Sequence, residues 1–412
     1  VVSDPEDYVT VANTCLKKNI MYDFMTPWVG HGLITAPPEK WNIHRRLINP
    51  AFNQIVLDGF IDIFNSQSRR LVKNLEEKIG TGTFDNVPYT HRNTLEAIFT
   101  AFGIDMTDES IQNNEYMLTL GKILSIFVDR IQKIWLYPDF IFNLSPKKKK
   151  QDKYVEILHH LSNTVLKKRK EEFLNNRNGL IDKETKGPKF KPFMDLLLEL
   201  FIEEKMFNDT EIKDHVNTII AAGYESTADT LVYAILLIGS FPDVQEKIVQ
   251  ELNDIFGDDD RDVTKQDLSK LKYLEAVIKE TLRYYTNVPV TGRTLDRDVK
   301  LRNCTLYKGH ACIILGHGIH RHPIWGPDAD EFIPERWLDP ARLPKIPSAY
   351  AAFSFGRRVC IGRSYAYMFM KITLAHLIRN YKITGDYTKL INKLDIILRP
   401  VSGHHIAIER RK

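Results

Sequence analysis

Apolar residues recur at i, i+3, i+4 and i+7 over most of the first 290 positions. That period predicts helices near 5–18, 38–50, 55–78, 88–103, 110–133, 150–174, 191–204, 208–240, 242–256 and 270–286. Strand-like runs are few and late: Val299 to Leu306, Ala311 to Leu315, Ile396 to Pro400 and His404 to Ile408. The pattern therefore predicts a mainly α chain with small β-sheets, α+β by class. Three polar stretches, Ser145 to Lys153, Asn175 to Lys191 and Gly257 to Val263, read as loops rather than domain linkers. No internal repeat is evident, so the expectation is one large domain over 1–412.

One predicted helix has unusual contents. Asn208 and Glu211 make a capping box, and Ile212, Val216, Ile219, Gly223, Thr227, Leu231 and Ile235 follow at helical spacing until Gly239-Ser240-Phe241-Pro242. At 1.5 Å per residue, about 30 residues span roughly 45 Å. The middle reads Ala222-Gly223-Tyr224-Glu225-Ser226-Thr227. Glycine inside a helix costs about 1 kcal/mol relative to alanine, and a buried acid with hydroxyls adds desolvation. Two readings follow: a kinked core helix with a satisfied polar patch, or a ligand pressed against Gly223 with Glu225 and Ser226 serving chemistry beside it.

Composition narrows the field. The chain has 412 residues, 57 Lys and Arg against 53 Asp and Glu, and a net charge of +4, so no nucleic-acid partner is implied. With 43% hydrophobic residues, disorder, collagen and a polytopic membrane protein are excluded. The four cysteines, Cys15, Cys304, Cys312 and Cys360, are too scattered for a disulfide framework or a zinc site, which suits a reducing compartment. No window offers 18 uninterrupted apolar residues; the closest, Ile219 to Phe241, contains Glu225 and Asp229. The start, Val1-Val2-Ser3-Asp4-Pro5, has neither a charged n-region nor an apolar h-region and reads as a fragment.

Near the other end the sequence runs Phe353-Ser354-Phe355-Gly356-Arg357-Arg358-Val359-Cys360-Ile361-Gly362, and helical spacing resumes through Tyr365, Met368, Ile372, Ala375 and Leu377. A lone cysteine is ordinarily an inert buried residue. This one sits at a helix N-terminus beside arginines, where a thiolate is favoured. Gly356 and Gly362 permit a tight loop and close approach of a flat group, Phe353 offers an aromatic wall, and Arg358 a cation for an anionic cofactor edge.

Phe-x-x-Gly-x-Arg-x-Cys-x-Gly resembles the haem-binding loop of the cytochrome P-450 superfamily. Three further motifs agree, in the expected order and over nearly the whole chain. Glu280 and Arg283 match the family's Glu-x-x-Arg, with Arg336 in Phe-Ile-Pro-Glu-Arg-Trp as third partner. Trp41 and Arg45 match Trp-x-x-x-Arg, whose spacing aims both side chains at a haem propionate, and Arg293 falls where another propionate ligand is placed. The long helix matches the oxygen-activation segment, with Glu225 as acid, Ser226 as hydroxyl and Thr227 beside them. Ser226 stands where the family most often has threonine.

The resemblance implies the P-450 fold, a single helical domain with haem b between the long helix and the helix after Cys360, whose thiolate is the axial ligand. An anchor and the first strands and helix would precede this chain. It implies monooxygenation of a lipophilic substrate by dioxygen, with Ala222, Tyr224, Val288 and Val290 bordering the substrate pocket. No dinucleotide fingerprint appears, so electrons would come from a separate NADPH–cytochrome P-450 reductase, with cytochrome b5 as an optional second donor. Arg357, Arg363, Lys40 and Arg46 are candidate docking cations. The wording around Trp41 and Arg293 is most similar to the animal clan of fatty-acid ω-hydroxylases and insect enzymes. Some of those tether haem through a glutamate just before the helix glycine; Ala222 there predicts haem held without an ester. The run Ile134, Trp135, Leu136, Tyr137, Phe140 and Phe142, followed by Lys147 to Lys150, reads as an interfacial segment for an anionic membrane. The family's place is the cytosolic face of the endoplasmic reticulum. A haem-thiolate isomerase, or a haem protein that only sequesters lipophiles, would share most of these motifs.

Overall fold

The computed structural model describes residues 1–103, 115–178, 193–202 and 204–411. They fall into two compact units, one of Val1–Lys17, Phe60–Ala97 and Gly223–Lys412, the other of Lys18–Gly59 and Ile98–Ala222. The architecture is mainly helical with small antiparallel sheets, as the periodicity predicts.

In the first unit, helices Ile61–Leu75 and Arg363–Asn380 form the central pair. Phe64 packs edge-on to Tyr365 at 5.0 Å and Phe369 at 5.2 Å, and Ser68 Oγ meets Thr373 Oγ1 at 3.1 Å. Buried rings of this size each contribute on the order of 2 to 3 kcal/mol by leaving water. The pairing fixes the helix that follows Cys360. Helix Lys272–Tyr284 carries Glu280 and Arg283 into the same core.

Among the described residues nine short strands make four sheets, all in this unit. They are β1 (Phe84–Asp85), β2 (Val290–Thr294), β3 (Val299–Lys300), β4 (Thr305–Leu306), β5 (Ala311–Leu315), β6 (Tyr381–Gly385), β7 (Asn392–Leu394), β8 (Leu398–Pro400) and β9 (His405–Arg410). The orders are β1-β9-β6, β2-β5, β3-β4 and β7-β8, every pair antiparallel. The expected single run Val299 to Leu306 is instead the hairpin β3-β4, turned where Leu301 N–H donates to the Cys304 carbonyl.

The second unit contains helices Pro38–Ile48, Glu115–Gln132, Pro146–Asn178 and Phe193–Ile202. The expected loop over Ser145 to Lys153 is a correction, because helix Pro146–Asn178 begins there. Proline at the first helical position loses no bond, and lysine is a good helix former despite its charge. The first positions of the expected 110–133 helix and most of the Asn175–Lys191 joint lie outside the described residues. Helix Asp209–Ser240 runs as predicted, and its capping box is present: Asn208 N–H donates to Glu211 Oε2 at 3.1 Å and Glu211 N–H to Asn208 Oδ1 at 3.0 Å. No single helix among the described residues is long and apolar enough to cross a membrane.

Candidate active site

Cys360 lies on an exposed turn just before helix Arg363–Asn380. The loop is closed by its own backbone. Cys360 N–H donates to the Phe353 carbonyl at 2.9 Å, Val359 N–H to Gly356 at 3.1 Å and Ser354 N–H to Ala351 at 2.9 Å. Ser354 (φ 63°) and Gly356 (φ 73°) occupy the left-handed region, which turns the chain sharply enough to present the thiol. A Cβ on Gly356 would stand 2.7 Å from Asn13 Oδ1 and 3.0 Å from the Ala12 carbonyl, so this glycine admits the helix Pro5–Thr14 against the loop. From the same helix Tyr8 presents its hydroxyl to Phe355 N–H at 2.7 Å and Ser354 Oγ at 3.0 Å. At Gly362 an added Cβ would lie 3.9 Å from the Cys360 sulfur, an ordinary contact. Phe353 tilts against Tyr367 at 5.2 Å, and the Arg363 guanidinium lies 5.9 Å from both rings.

Behind the loop, Glu280, Arg283 and Arg336 come together fully buried. Arg283 forks onto the carboxylate, Nε to Oε2 at 2.8 Å and Nη2 to Oε1 at 2.7 Å, and Arg336 Nε reaches Oε1 at 3.0 Å. Two further donors were not visible in the sequence motif: Trp337 Nε1–H to Oε2 at 2.9 Å and Ile333 N–H to Oε1 at 2.9 Å. The remaining Arg283 hydrogens go to the carbonyls of His320, Ala329 and Glu331, so all five N–H groups are used. Asp328 holds Arg336 from outside at 3.2 Å.

His320 ties this network to the cysteine loop. Its Nε2 accepts Ala351 N–H at 2.9 Å, so Nδ1 carries the proton that Thr286 Oγ1 receives at 2.8 Å. Burial, reinforced by Arg283 and Arg321, pulls the pKa of His320 down to about 3 and keeps the ring neutral.

Arg293, on β2 opposite Cys312, is buried; Nη1 donates to the Gly292 carbonyl at 3.0 Å, while Nε has no protein acceptor. Arg358 is buried as well, whereas Arg357 and Arg363 are exposed. On the long helix, Glu225 and Thr227 are buried, Ser226 is half-buried and Ala222 exposed. Glu225 forms an ion pair with Arg399 of β8. The Ser226 carbonyl receives the Asn287 side-chain amide in addition to the Thr230 hydroxyl at 2.8 Å. Tyr224 is buried, its hydroxyl 3.0 Å from His91 Nδ1; His91 Nε2 in turn meets Asp229 at 2.9 Å. Val288 is 37% exposed, and Val290 is half-buried in β2. Sequence reasoning missed His320, Asn287, His91 and Arg399.

In the second unit, Trp41 is buried and Arg45, one turn on, is half-buried with Nε donating to Asn49 Oδ1 at 2.8 Å. His44, between them, makes a buried pair with His215 (Nδ1 to Nε2, 2.8 Å). Lys40 pairs with Glu211 at 2.9 Å, and Arg46 is exposed. The aromatic run divides. Ile134, Trp135, Phe140 and Leu144 are more than 60% exposed, but Leu136 and Phe142 are buried with Ile126. Arg130 stacks on Phe142 at 4.2 Å and donates to the Leu136 and Tyr137 carbonyls, which folds those residues inward. Of the lysine run, Lys147 is paired with Asp129 and Lys148 with Asp152, whereas Lys149 and Lys150 are exposed.

Comparison with known proteins agrees with this constellation. The family model described as Cytochrome P450 matches residues 3–406. Human cytochrome P450 4V2 is 33% identical over 412 residues, covering 98% of this chain and 78% of the relative. Cytochrome P450 4c3 of Drosophila melanogaster is 34% identical, covering 99% and 79%, and cytochrome P450 4c21 of Blattella germanica 32%, covering 100% and 83%. A family match over nearly the whole chain, joined to animal relatives above 30% identity, carries the assignment: the chain belongs to the cytochrome P450 family of haem-thiolate monooxygenases.

Proposed function

We propose that Cys360 is the thiolate ligand of haem and that the enzyme hydroxylates or epoxidises a lipophilic substrate with dioxygen. The observation that carries this is the cysteine loop, closed by its own hydrogen bonds and braced by Tyr8, His320 and the Glu280 network. The residues present fit haem. The buried Arg293 Nε, with no protein acceptor, suits a propionate, since a buried cation needs an anion. Trp41 and Arg45, at i and i+4 on one helix, are proposed as propionate ligands, and Phe353, Gly356, Arg358 and Gly362 as the residues lining the thiolate side. Haem supplies the activation of dioxygen, which thiolate donation favours.

Within the chain, Glu225 would take up protons and Ser226 pass them on through water, with Thr227 beside them. Serine lacks the methyl that stiffens threonine's rotamer. Ser226→Thr is therefore expected to raise the product formed per NADPH consumed; an unchanged ratio would refute this account of Ser226. Ala222, Tyr224, Val288 and Val290 are proposed to border the substrate. Electrons would arrive from NADPH–cytochrome P-450 reductase, or from cytochrome b5, through exposed cations such as Arg357, Arg363 and Arg46.

The membrane contact is proposed on narrower ground than the run as a whole: Ile134, Trp135, Phe140 and Leu144 with Lys149 and Lys150. Lys149→Glu with Lys150→Glu should weaken binding to anionic liposomes; equal binding would leave the lysines no such role. The endoplasmic reticulum's cytosolic face is the proposed location. The assignment is tested by product analysis of a lipophile panel with reductase and NADPH. A ferrous–CO spectrum without the red-shifted thiolate band would overturn it.

A further inference from the structure

The β7-β8 hairpin is attached to the long helix at several points. Tyr233, one of the helix's fully buried residues, donates its hydroxyl to Asn392 Oδ1 at 2.7 Å and the Leu398 carbonyl at 3.2 Å. Leu398 N–H donates to the Asn287 carbonyl at 2.9 Å, and the Asn287 amide reaches the Ser226 carbonyl and Thr230 Oγ1. Between these contacts Arg399, opposite Lys393 in the hairpin register, pairs with Glu225. The Glu225 side chain is 5% exposed and that of Arg399 28%, so the pair runs from the buried helix toward solvent.

The neighbouring charges are otherwise engaged. Asp229, one turn beyond Glu225, is held by His91, which also binds Tyr224. Lys393 pairs with Asp395. Among the described residues Arg399 is the cation that meets Glu225. A carboxylate this deeply buried would take up a proton and become neutral without a charged partner.

We propose that Arg399 is the positioning residue for the proton supply at the reaction centre: it keeps Glu225 ionised and aimed along the hairpin, where it can be recharged from solvent. This rests on Glu225 being the acid beside haem. In each cycle the Glu225 carboxylate takes a proton from water on the Arg399 side and releases it to water at the Ser226 hydroxyl, returning to carboxylate. One proton moves and no electron is transferred by these residues. The hairpin thereby belongs to the proton path through Arg399.

The test uses holoenzyme with reductase and compares Arg399→Met, Arg399→Gln, Arg399→Lys and Glu225→Gln. Arg399→Met and Arg399→Gln should lower product per NADPH on the order of tenfold and enlarge the solvent deuterium isotope effect, while the KM for substrate stays near wild type. Arg399→Lys, which keeps the charge, should restore most of the loss. Independently of turnover, difference infrared spectra at neutral pH should show a protonated carboxyl band in Arg399→Met that disappears when Glu225→Gln is added. The double variant should be no worse than Glu225→Gln alone, because the two residues act as one unit. If Glu225→Gln lowers coupling but the Arg399 variants match wild type without the new band, the role of Arg399 is overturned. If Glu225→Gln itself leaves coupling and isotope effect unchanged, the assignment of Glu225 fails instead.

Discussion

Glu280→Gln is expected to destabilise the enzyme by about 3 to 5 kcal/mol, the cost of leaving a buried charge without its partner. Two guanidinium groups, Arg283 and Arg336, lie at 0% exposure against this one carboxylate. Glutamine keeps the shape but removes the negative charge, and its amide hydrogens would face Arg283, Arg336, Trp337 or Ile333, all of which donate toward position 280. A whole domain is stable by only about 5 to 15 kcal/mol, so a loss of this size removes a large share of the margin and should lower the unfolding midpoint strongly. Trp337→Phe is the matched control, since it deletes a single donor and should cost about 1 kcal/mol. The measurement is the denaturant midpoint of both variants. A Glu280→Gln midpoint within the range of the control would mean that the network is not the structural anchor described.

The second large effect is a loss of stability on mild acidification. Burial holds His320, His215 and His404 down to about 3 and His376 to about 4, with nearby cations adding to burial for His320 and His376. In the unfolded chain each has the ordinary value near 6.5. Below that pH the unfolded state takes up protons that the folded state refuses. The stability these groups contribute is therefore complete above 6.5 and falls as pH drops. The loss is about 1.4 kcal/mol per group per pH unit, so the four together should cost about 5 kcal/mol between pH 7.5 and 5.5. Carboxylates with lowered values, such as Asp267 beside Arg261, lose their contribution only at more acid pH and do not mask this window. His404 offers the cleanest check. Both its ring nitrogens are buried without a hydrogen-bond partner, and it packs edge-on to Tyr233 at 4.7 Å. His404→Phe should make the enzyme more stable at pH 5.5 and reduce the slope of unfolding free energy against pH by one proton. An unchanged slope would show that His404 titrates normally in the folded enzyme.

Local motifs were legible because their parts lie close in sequence. The cysteine loop, the Glu280 and Arg283 pair and the Asn208 capping box each occupy a few consecutive residues, and the structure keeps all three together. Contacts made between distant segments left no such trace. Arg399 stands in a stretch with no motif, and its partner Glu225 lies on another element. His320 belongs to no motif in His320-Arg321-His322-Pro323, and only the contacts of Thr286 and Ala351 with its two nitrogens, from distant segments, give it a place. The lysines from 147 to 150 misled for a physical reason: charge argues for solvent, and a helix whose polar face is solvated satisfies that as well as a loop does. The aromatic run before them read as one exposed patch because nothing local announces that Arg130 draws Leu136 and Phe142 inward.

The contact between Tyr8 and the cysteine loop joins residues 346 positions apart. Arg302 fastens the same helix from a third place, pairing with Asp4, Glu6 and Asp7. At synthesis rates of 5 to 20 residues per second, roughly 20 to 70 seconds separate the emergence of Tyr8 from that of Ser354. Until then Gly356 has no helix to close on, and Phe355 N–H no hydroxyl to meet. The thiolate loop is therefore among the last parts to acquire its shape, and a nascent polypeptide stalled before residue 354 should hold no cofactor at all.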